Sequence, residues 1–266
     1  MRQKGVLILT EARSGSNWLG SLLDLTGRLG KPEEWFTPAF GPEGGRPGDG
    51  RAWIDHALRR SSTGNGFFAI KLFVPHVFEF HHRYGIDLLR WFRDHHDTLM
   101  VRLTRRDRLR QAISLVRGLQ TRKWWSSTAP AGEEAYDFAA ICRAVVRIDR
   151  SLAYWRSCET LYDVAMPEFV YEDLVASPAP FLDAVAAHAG IRIGAVPESP
   201  LKVQRDRTTE EWLERFEADR KTADMVEFGS PVARPKRNLS NFARLAAGRP
   251  LKPYHYQLRI VQKKGR

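Results

Sequence analysis

Residues 10–23 read TEARSGSNWLGSLL and directly follow the apolar run VLIL at positions 6–9. The pattern predicts a short strand, a turn of small residues and then the start of a helix. In such a unit several backbone N–H groups and the positive end of the helix dipole face one point. We therefore expect the turn to bind a phosphate or another anion.

Strand and helix patterns alternate along the rest of the chain. The predicted strands are 5–9, 67–73, 98–103 and 168–170, and the predicted helices are 16–26, 107–121, 135–157, 179–189 and 208–221. This alternation predicts an α/β fold with a central, mainly parallel sheet flanked by helices, and with ligands at the carboxyl ends of the strands. The segment 37–51, which is dense in Gly and Pro, is expected to form an irregular excursion near the site.

The positive charge is unevenly distributed. The 266 residues carry a net charge of +11, but segment 231–266 contains ten Lys or Arg and no Asp or Glu, so the rest is nearly neutral. We expect a main domain over 1–230 and a basic, Pro-containing extension over 231–266. The extension is interpreted as solvated, with contact to an anionic membrane surface, a nucleic acid or an acidic partner as the alternatives. No specific nucleic acid is expected.

The expected cellular compartment follows from two features that the sequence lacks, a membrane-spanning run and a secretory signal. No apolar run approaches the roughly 20 residues of a membrane span, and the apolar part of the start MRQKGVLILTEA is too brief for a secretory signal. We expect a cytoplasmic protein, with peripheral contact at the inner membrane surface as one alternative for its tail. In that reducing compartment Cys142 and Cys158 are expected to be buried free thiols.

The turn differs from a nucleotide-hydrolysing phosphate loop. Gly15, Gly20 and Ser21 match the Gly-x4-Gly-Lys-Ser/Thr pattern except that the lysine that would reach the β- and γ-phosphates is absent. Hydrolysis of the Walker type is therefore disfavoured. The candidate anion-binding residues are Arg13, Ser14, Gly15, Ser16, Asn17 and Trp18. The alternative is a structural turn capped by Ser14 or Ser16.

A second candidate site follows the strand at 98–103. Arg105 stands at the start of a helical pattern, and Arg110, Ser114, Arg117 and Thr121 form a polar stripe along it. A guanidinium at the start of the helix and a hydroxyl on its second turn can hold a second phosphate, although a solvated basic face is the alternative. Two anion sites suit a nucleotide with phosphates at both ends, such as 3′-phosphoadenosine 5′-phosphosulfate (PAPS).

Several motifs, in order, carry a family resemblance. They are ARSGSNWLGSLL, GRLGKPEEWF, TRRDRLRQAISLVRGLQTRKWW, YEDLVASP and VQRDRTTEEWLERF. Over about residues 5–217 the chain resembles the bacterial trehalose 2-sulfotransferase-like family of PAPS-dependent sulfotransferases. The resemblance implies a P-loop-like sulfotransferase fold, with PAPS as donor and 3′-phosphoadenosine 5′-phosphate (PAP) as product. The basic tail lies outside it.

The resemblance also implies roles for single residues. Residues 13–17 match the loop that holds the 5′-phosphosulfate, with Asn17 where the family usually has Thr. Arg105 and Ser114 match the pair that binds the 3′-phosphate. Arg13 is expected to stabilise the leaving group as well as to bind the donor.

Further residues are candidates for accepting the proton of the acceptor hydroxyl and for lying near the nucleotide. Glu34 matches the family's proposed general base, and Glu33 is its local competitor. Gln204 and Asp206 fall in a late motif near the nucleotide, where Val203 replaces an Arg often found in the family. Segment 171–174 resembles one beside the nucleotide, where a structural role fits equally, and Lys71 is a candidate for facing the acceptor or the nucleotide.

The sequence specifies the sulfuryl acceptor less closely than the donor. The resemblance implies a carbohydrate or glycolipid hydroxyl and is compatible with a homodimer. Tryptophan faces suit sugar rings, but core packing explains them equally well; the candidates are Trp18, Trp35, Trp124 and Trp125. No metal is expected, because neither the mechanism nor the adjacent His81–His82 and His95–His96 pairs call for one. The competing functions are a nucleotide-dependent kinase and a non-catalytic nucleotide- or nucleic-acid-binding protein.

Overall fold

The sheet has four parallel strands in the order β2-β1-β3-β4. The computed structural model describes residues 2–42, 48–122, 124, 131–200, 206–228, 243, 246 and 258–262. The strands are β1 (Lys4–Thr10), β2 (Phe68–Phe73), β3 (Asp97–Thr104) and β4 (Glu168–Val170). Their shared direction brings the carboxyl ends of β1, β2 and β3 to one edge, as the predicted α/β fold requires.

Helices connect and cover the strands. They are α1 (Ser16–Leu25), α2 (Gly50–Ser61), α3 (Val74–Tyr84), α4 (Leu88–His95), α5 (Arg108–Thr121), α6 (Phe138–Tyr162), α7 (Tyr171–Ala176), α8 (Ala179–Ala189) and α9 (Arg207–Asp219). A short 3-10 turn covers Pro38–Phe40. Within the described ranges, no helix combines the length and apolar character needed to cross a membrane.

The central strand β1 is buried on both faces. Val6 and Ile8 pack into one core cluster, and Leu7 and Leu9 pack into another on the opposite face. All four side chains are fully buried. A continuous apolar run is what a parallel strand covered by helices on both sides requires, since side chains alternate between the faces. The run VLIL therefore fixes β1 at the centre of the sheet.

Aspartate side chains define where several helices begin. In α2, α4, α5, α6 and α9 the residue before the helix is an Asp whose carboxylate accepts a backbone N–H of the first turn: Asp49, Asp87, Asp107, Asp137 and Asp206. Such caps satisfy donors that the helix itself leaves free. They account for the start of α5 at Arg108 and of α9 at Arg207.

The predicted strands and the five predicted helices are present, with ends shifted by a few residues. Helices α2, α3, α4 and α7 were not predicted. The predicted irregular excursion at 37–51 contains the Pro38–Phe40 turn and the start of α2, and residues 43–47 lie outside the described part. Cys142 and Cys158 are buried free thiols.

A second, two-stranded antiparallel sheet joins β5 (Ala223–Phe228) to β6 (Leu258–Gln262). Strand β6 belongs to the basic segment 231–266, most of which lies outside the described residues. The domain boundary at 230 stays a prediction.

Residues 30–33 form an unpredicted addition beside β2. The Lys71 N–H donates to the Glu33 carbonyl at 3.0 Å, and Glu33 forms a parallel bridge with Ile70. Gly30 permits this close approach: its φ is 81°, and a Cβ there would lie 2.4 Å from the Ala69 nitrogen. Glycine is the residue that tolerates both constraints. Gly30 therefore brings the segment carrying Glu33 and Glu34 to the sheet.

We predict that Gly30→Ala destabilises the protein more than Gly27→Ala. Gly27 also has a positive φ, 64°, but a Cβ there meets nothing within 4 Å. The Gly27 variant should therefore cost only the left-handed backbone penalty, about 1 kcal/mol, whereas the Gly30 variant adds an overpacking cost of about 1–3 kcal/mol. Urea denaturation of both variants measures the difference, and equal losses would contradict the close packing at Gly30.

Candidate active site

The turn after β1 has an unusual backbone. Arg13 has a φ of 65°, a left-handed conformation that costs a non-glycine residue about 1–3 kcal/mol. Gly15 also lies in this region, with a φ of 88°, and a Cβ there would lie 2.2 Å from the ring of Tyr171. The conformation is thus held by its surroundings, and α1 begins at this turn without a side-chain cap. Its first N–H groups can bind an anion.

The side chain of Arg13 reaches α5. Its Nε donates to Ser114 Oγ at 2.7 Å, and its Nη1 donates to the Trp124 carbonyl at 3.2 Å. Burial lowers the pKa of the Arg13 guanidinium, and the positive charges of Arg105 and Arg117 lower it further. Arginine remains charged despite such shifts. The turn therefore concentrates positive charge in a poorly solvated place, where an anion is attracted strongly.

Arg105 lies behind the same turn. Its Nη1 donates to the Arg13 carbonyl at 3.2 Å, and its guanidinium lies 5.3 Å from the ring centre of Tyr171. Its Nε is buried without a hydrogen-bond partner among the described residues, with Glu172 Oε1 3.7 Å away. A buried donor with no partner is costly. Arg105 is thus suited to donate to a bound phosphate oxygen, and the two predicted anion sites adjoin each other.

The other predicted residues of the turn have mixed environments. Ser14 is buried, and its hydroxyl lies 2.7 Å from that of Thr10. Ser16 is also buried at the first position of α1. Trp18 is half-buried and packs edge-to-face against Tyr171, with 6.0 Å between ring centres. Trp18 therefore forms one wall beside Gly15.

A buried lysine connects α1, β2 and the segment beside it. Lys71 is 1% exposed; its Nζ donates to Asn17 Oδ1 at 2.5 Å and lies 3.1 Å from Glu33 Oε2. A buried ammonium group needs such compensation. Asn17 and Glu33 therefore hold the Lys71 charge at the carboxyl edge of the sheet, next to the turn.

Glu34 differs from Glu33 in its electrostatic environment. Burial raises the pKa of the Glu34 carboxyl; Lys71 opposes this rise, while Glu33 and Glu11 add to it. Close by, burial and then the charge of Lys71 lower the pKa of His76 to about 4, so this imidazole is neutral at pH 7. In the described ranges no group of three or more His, Cys, Asp or Glu is arranged to hold a metal ion.

Asp206 contacts α5 and α9. Its carboxylate forms two hydrogen bonds of 2.8 Å with the Arg117 guanidinium, which also binds Glu134. It caps α9 by accepting the N–H of Thr209, and these contacts, the Arg117 hydrogen bond first, lower the pKa of Asp206 to about 2. Asp206 thus fixes the position of the Arg117 guanidinium between α5 and α9. Gln204 lies outside the described residues.

The candidate sugar-stacking tryptophans lie in different surroundings. Trp35 is 6% exposed in the core, and its Nε1 donates to the Lys31 carbonyl at 2.9 Å. Trp124 packs against the core cluster that contains residues of α5 and α6. Trp125 lies outside the described part of the chain. Core packing accounts for Trp35, whereas Trp18 and Trp124 border the turn.

Two cavities lie at opposite edges of the sheet. A groove of about 160 Å³ is lined by Asn17, Gly20, Ser21, Asp24, Lys31, Pro32 and Glu33. A larger cavity of about 840 Å³ has Gln3, Lys4, Asp97 and Thr98 in its lining, at the amino ends of β1 and β3. We assign the small groove to the site, because it shares Asn17 and Glu33 with the Lys71 cluster.

Sequence reasoning missed Glu11, which directly follows β1. Its side chain is fully buried beneath the turn. The only available signal was a charged residue between a fully apolar strand and an anion-binding turn, and that signal alone does not separate a buried carboxylate from an exposed one.

Comparisons with known proteins identify one family and two relatives within it. The family model described as Stf0 sulphotransferase matches residues 5–219. A trehalose 2-sulfotransferase of Mycolicibacterium smegmatis is 26% identical over 251 residues, covering 80% of this chain and 94% of the relative. A trehalose 2-sulfotransferase of Mycobacterium tuberculosis is 25% identical over 256 residues, with the same coverage. The matched region contains the turn, Glu34, Lys71, Arg105 and Ser114.

Proposed function

Because the chain belongs to the Stf0 sulphotransferase family, we propose that it transfers a sulfuryl group from PAPS to a hydroxyl of a carbohydrate or glycolipid. The observation that carries the proposal is the 2.7 Å contact between Arg13 and Ser114 at the turn expected to bind an anion. This contact joins the two predicted phosphate sites. Glu34, the candidate base, lies at the same edge of the sheet.

The residues of the chain fit a doubly phosphorylated nucleotide. The turn N–H groups and Arg13 would hold the 5′-phosphosulfate. Arg105, whose buried Nε has no hydrogen-bond partner in the described ranges, and Ser114 would hold the 3′-phosphate. These contacts to the 3′-phosphate are remote from the reacting atoms, so their binding energy positions the sulfuryl group.

Glu34 is the better candidate base. Glu33 is held in an ion pair with the buried Lys71, so its carboxylate is already engaged. Glu34 has a raised pKa, and a carboxylate in that state takes a proton more readily than an ordinary one. Lys71 contacts Asn17 and Glu33. Through these two residues it would orient groups at the reacting centre.

The chemistry requires one bond to form and one to break. PAPS supplies the sulfuryl group and leaves as PAP. The acceptor oxygen forms a bond to sulfur, the bond between sulfur and the 5′-phosphate oxygen breaks, and Glu34 takes the hydroxyl proton. Arg13 and the turn N–H groups stabilise the charge that develops on the departing oxygen.

The acceptor class follows from the relatives, whose names specify trehalose. The groove beside α1 offers carboxylate, hydroxyl and amide groups, which suit a sugar ring. We propose a cytoplasmic location and a transfer reaction that needs no metal cofactor. Homodimer formation and contact of the basic tail with an anionic surface or an acidic partner stay predictions.

We predict that Arg105→Ala raises the KM for PAPS by about 10- to 100-fold, because each charge-assisted hydrogen bond contributes about 1.5–3 kcal/mol. The matched control is Arg106→Ala. Arg106 has an exposed side chain that pairs with Asp173 at 2.8 Å, so its loss should leave the KM close to the wild-type value. Equal effects at the two positions would show that the 3′-phosphate site is misplaced.

We predict that wild-type protein transfers label from ³⁵S-PAPS to trehalose or a related sugar, and that Glu34→Gln lowers kcat by about 10²- to 10⁴-fold. Since burial raises the pKa of Glu34, the acid limb of the wild-type rate should lie above the ordinary value of 4.5. In the control, Glu33→Gln, kcat should fall less than in Glu34→Gln. Full activity of Glu34→Gln would remove Glu34 as the base, and absence of label on any sugar would contradict the proposed acceptor class.

A further inference from the structure

Glu11 is a fully buried carboxylate whose oxygens are all engaged. Its Oε2 accepts from Ser151 Oγ at 2.6 Å, and its Oε1 accepts from Arg147 Nη2 at 3.1 Å and from the Ala12 N–H at 2.9 Å. A buried charge is retained only with such compensation. The carboxylate therefore binds α6 on one side and the backbone of the turn on the other.

The three α6 residues at this contact form a regular stripe. Arg147, Ser151 and Trp155 are spaced four residues apart, so they lie on one face of the helix. Trp155 Nε1 donates to the Thr10 carbonyl at 3.1 Å, one residue before Glu11. From α5, Gln111 Nε2 donates to the Ala12 carbonyl at 3.0 Å. The backbone from Thr10 to Ala12 is thus held by two helices.

We propose that Glu11 is a positioning residue for sulfuryl transfer, acting through the turn that it ties to α6. The proposal rests on the proposed function. Arg13 follows two residues later in a left-handed conformation, which persists only where neighbouring contacts hold it. Glu11 and its partners on α6 supply these contacts, and so they set where the Arg13 guanidinium lies relative to Ser114.

Two variants test the positioning effect. Glu11→Gln keeps an acceptor for the Ala12 N–H; we expect kcat to fall less than in Glu11→Ala, which removes that acceptor. Ser151→Ala removes the hydrogen bond between Glu11 and α6; we expect kcat to fall several-fold. The control, Asp149→Asn, removes an exposed α6 carboxylate paired with Arg108 and should leave kcat unchanged.

A binding measurement tests the same inference without an acceptor. We expect Glu11→Ala, which releases the turn, to weaken PAP binding at least tenfold in calorimetric titration, with Ser151→Ala weakening it less. Wild-type PAP affinity in Glu11→Ala, or an equal loss of kcat in folded Glu11→Gln and Glu11→Ala variants, would overturn the inference and leave the proposed function intact. Wild-type protein that neither binds PAP nor transfers label would overturn both.

Discussion

The hydrogen bond between Arg13 and Ser114 is the interaction on which the site depends. It joins residues 101 positions apart in the chain, and it requires that β1 and β3 be neighbours with the same direction. The apolar run of β1 secures this arrangement, because it is buried on both faces. The sheet therefore places the turn that carries Arg13 against α5. This helix carries the Ser114 hydroxyl and begins just after Arg105.

A second constraint is the burial of charge at the same edge. Lys71 lies in the core with Asn17 and Glu33 as its partners, and Glu11 lies beneath the turn with partners on α6. Each buried charge is compensated by groups from other elements. The arrangement ties the turn, β2, the segment after Gly30 and α6 into one unit. Within it, Glu34 is half-buried, lies among these charges and has a raised pKa.

Local patterns in the sequence predicted the parts of the fold that depend on local physics. The β1–turn–α1 unit follows from an apolar run and small residues, and the helices capped by Asp107 and Asp137 follow from periodicity. The irregular contact of Glu33 with β2 is not predictable in this way, since it depends on Gly30 meeting Ala69 from a distant part of the chain. Helix α3 follows β2 without an intervening turn, and Pro75 in its first turn is the only local signal of the boundary.

The candidate site was predicted through residue type and resemblance, and its electrostatics were not. Arg13 contacts Ser114 through its side chain and Arg105 through its carbonyl. The ion pair of Asp206 with Arg117 and the core position of Trp35, by contrast, emerge only from packing. Glu11 was missed because its partners Arg147 and Ser151 lie more than a hundred residues away. Burial of a charge is a property of the assembled fold.

Titration of the wild-type protein with PAP, in parallel with ATP and Mg²⁺, tests the central claim most directly, because it needs no acceptor. The account predicts tight, metal-independent binding of PAP and no binding of ATP. The reason is that the site offers two phosphate-binding positions and lacks the lysine of a nucleotide-hydrolysing loop. Binding of ATP with Mg²⁺ but not of PAP would contradict the assignment of the turn to a sulfuryl donor.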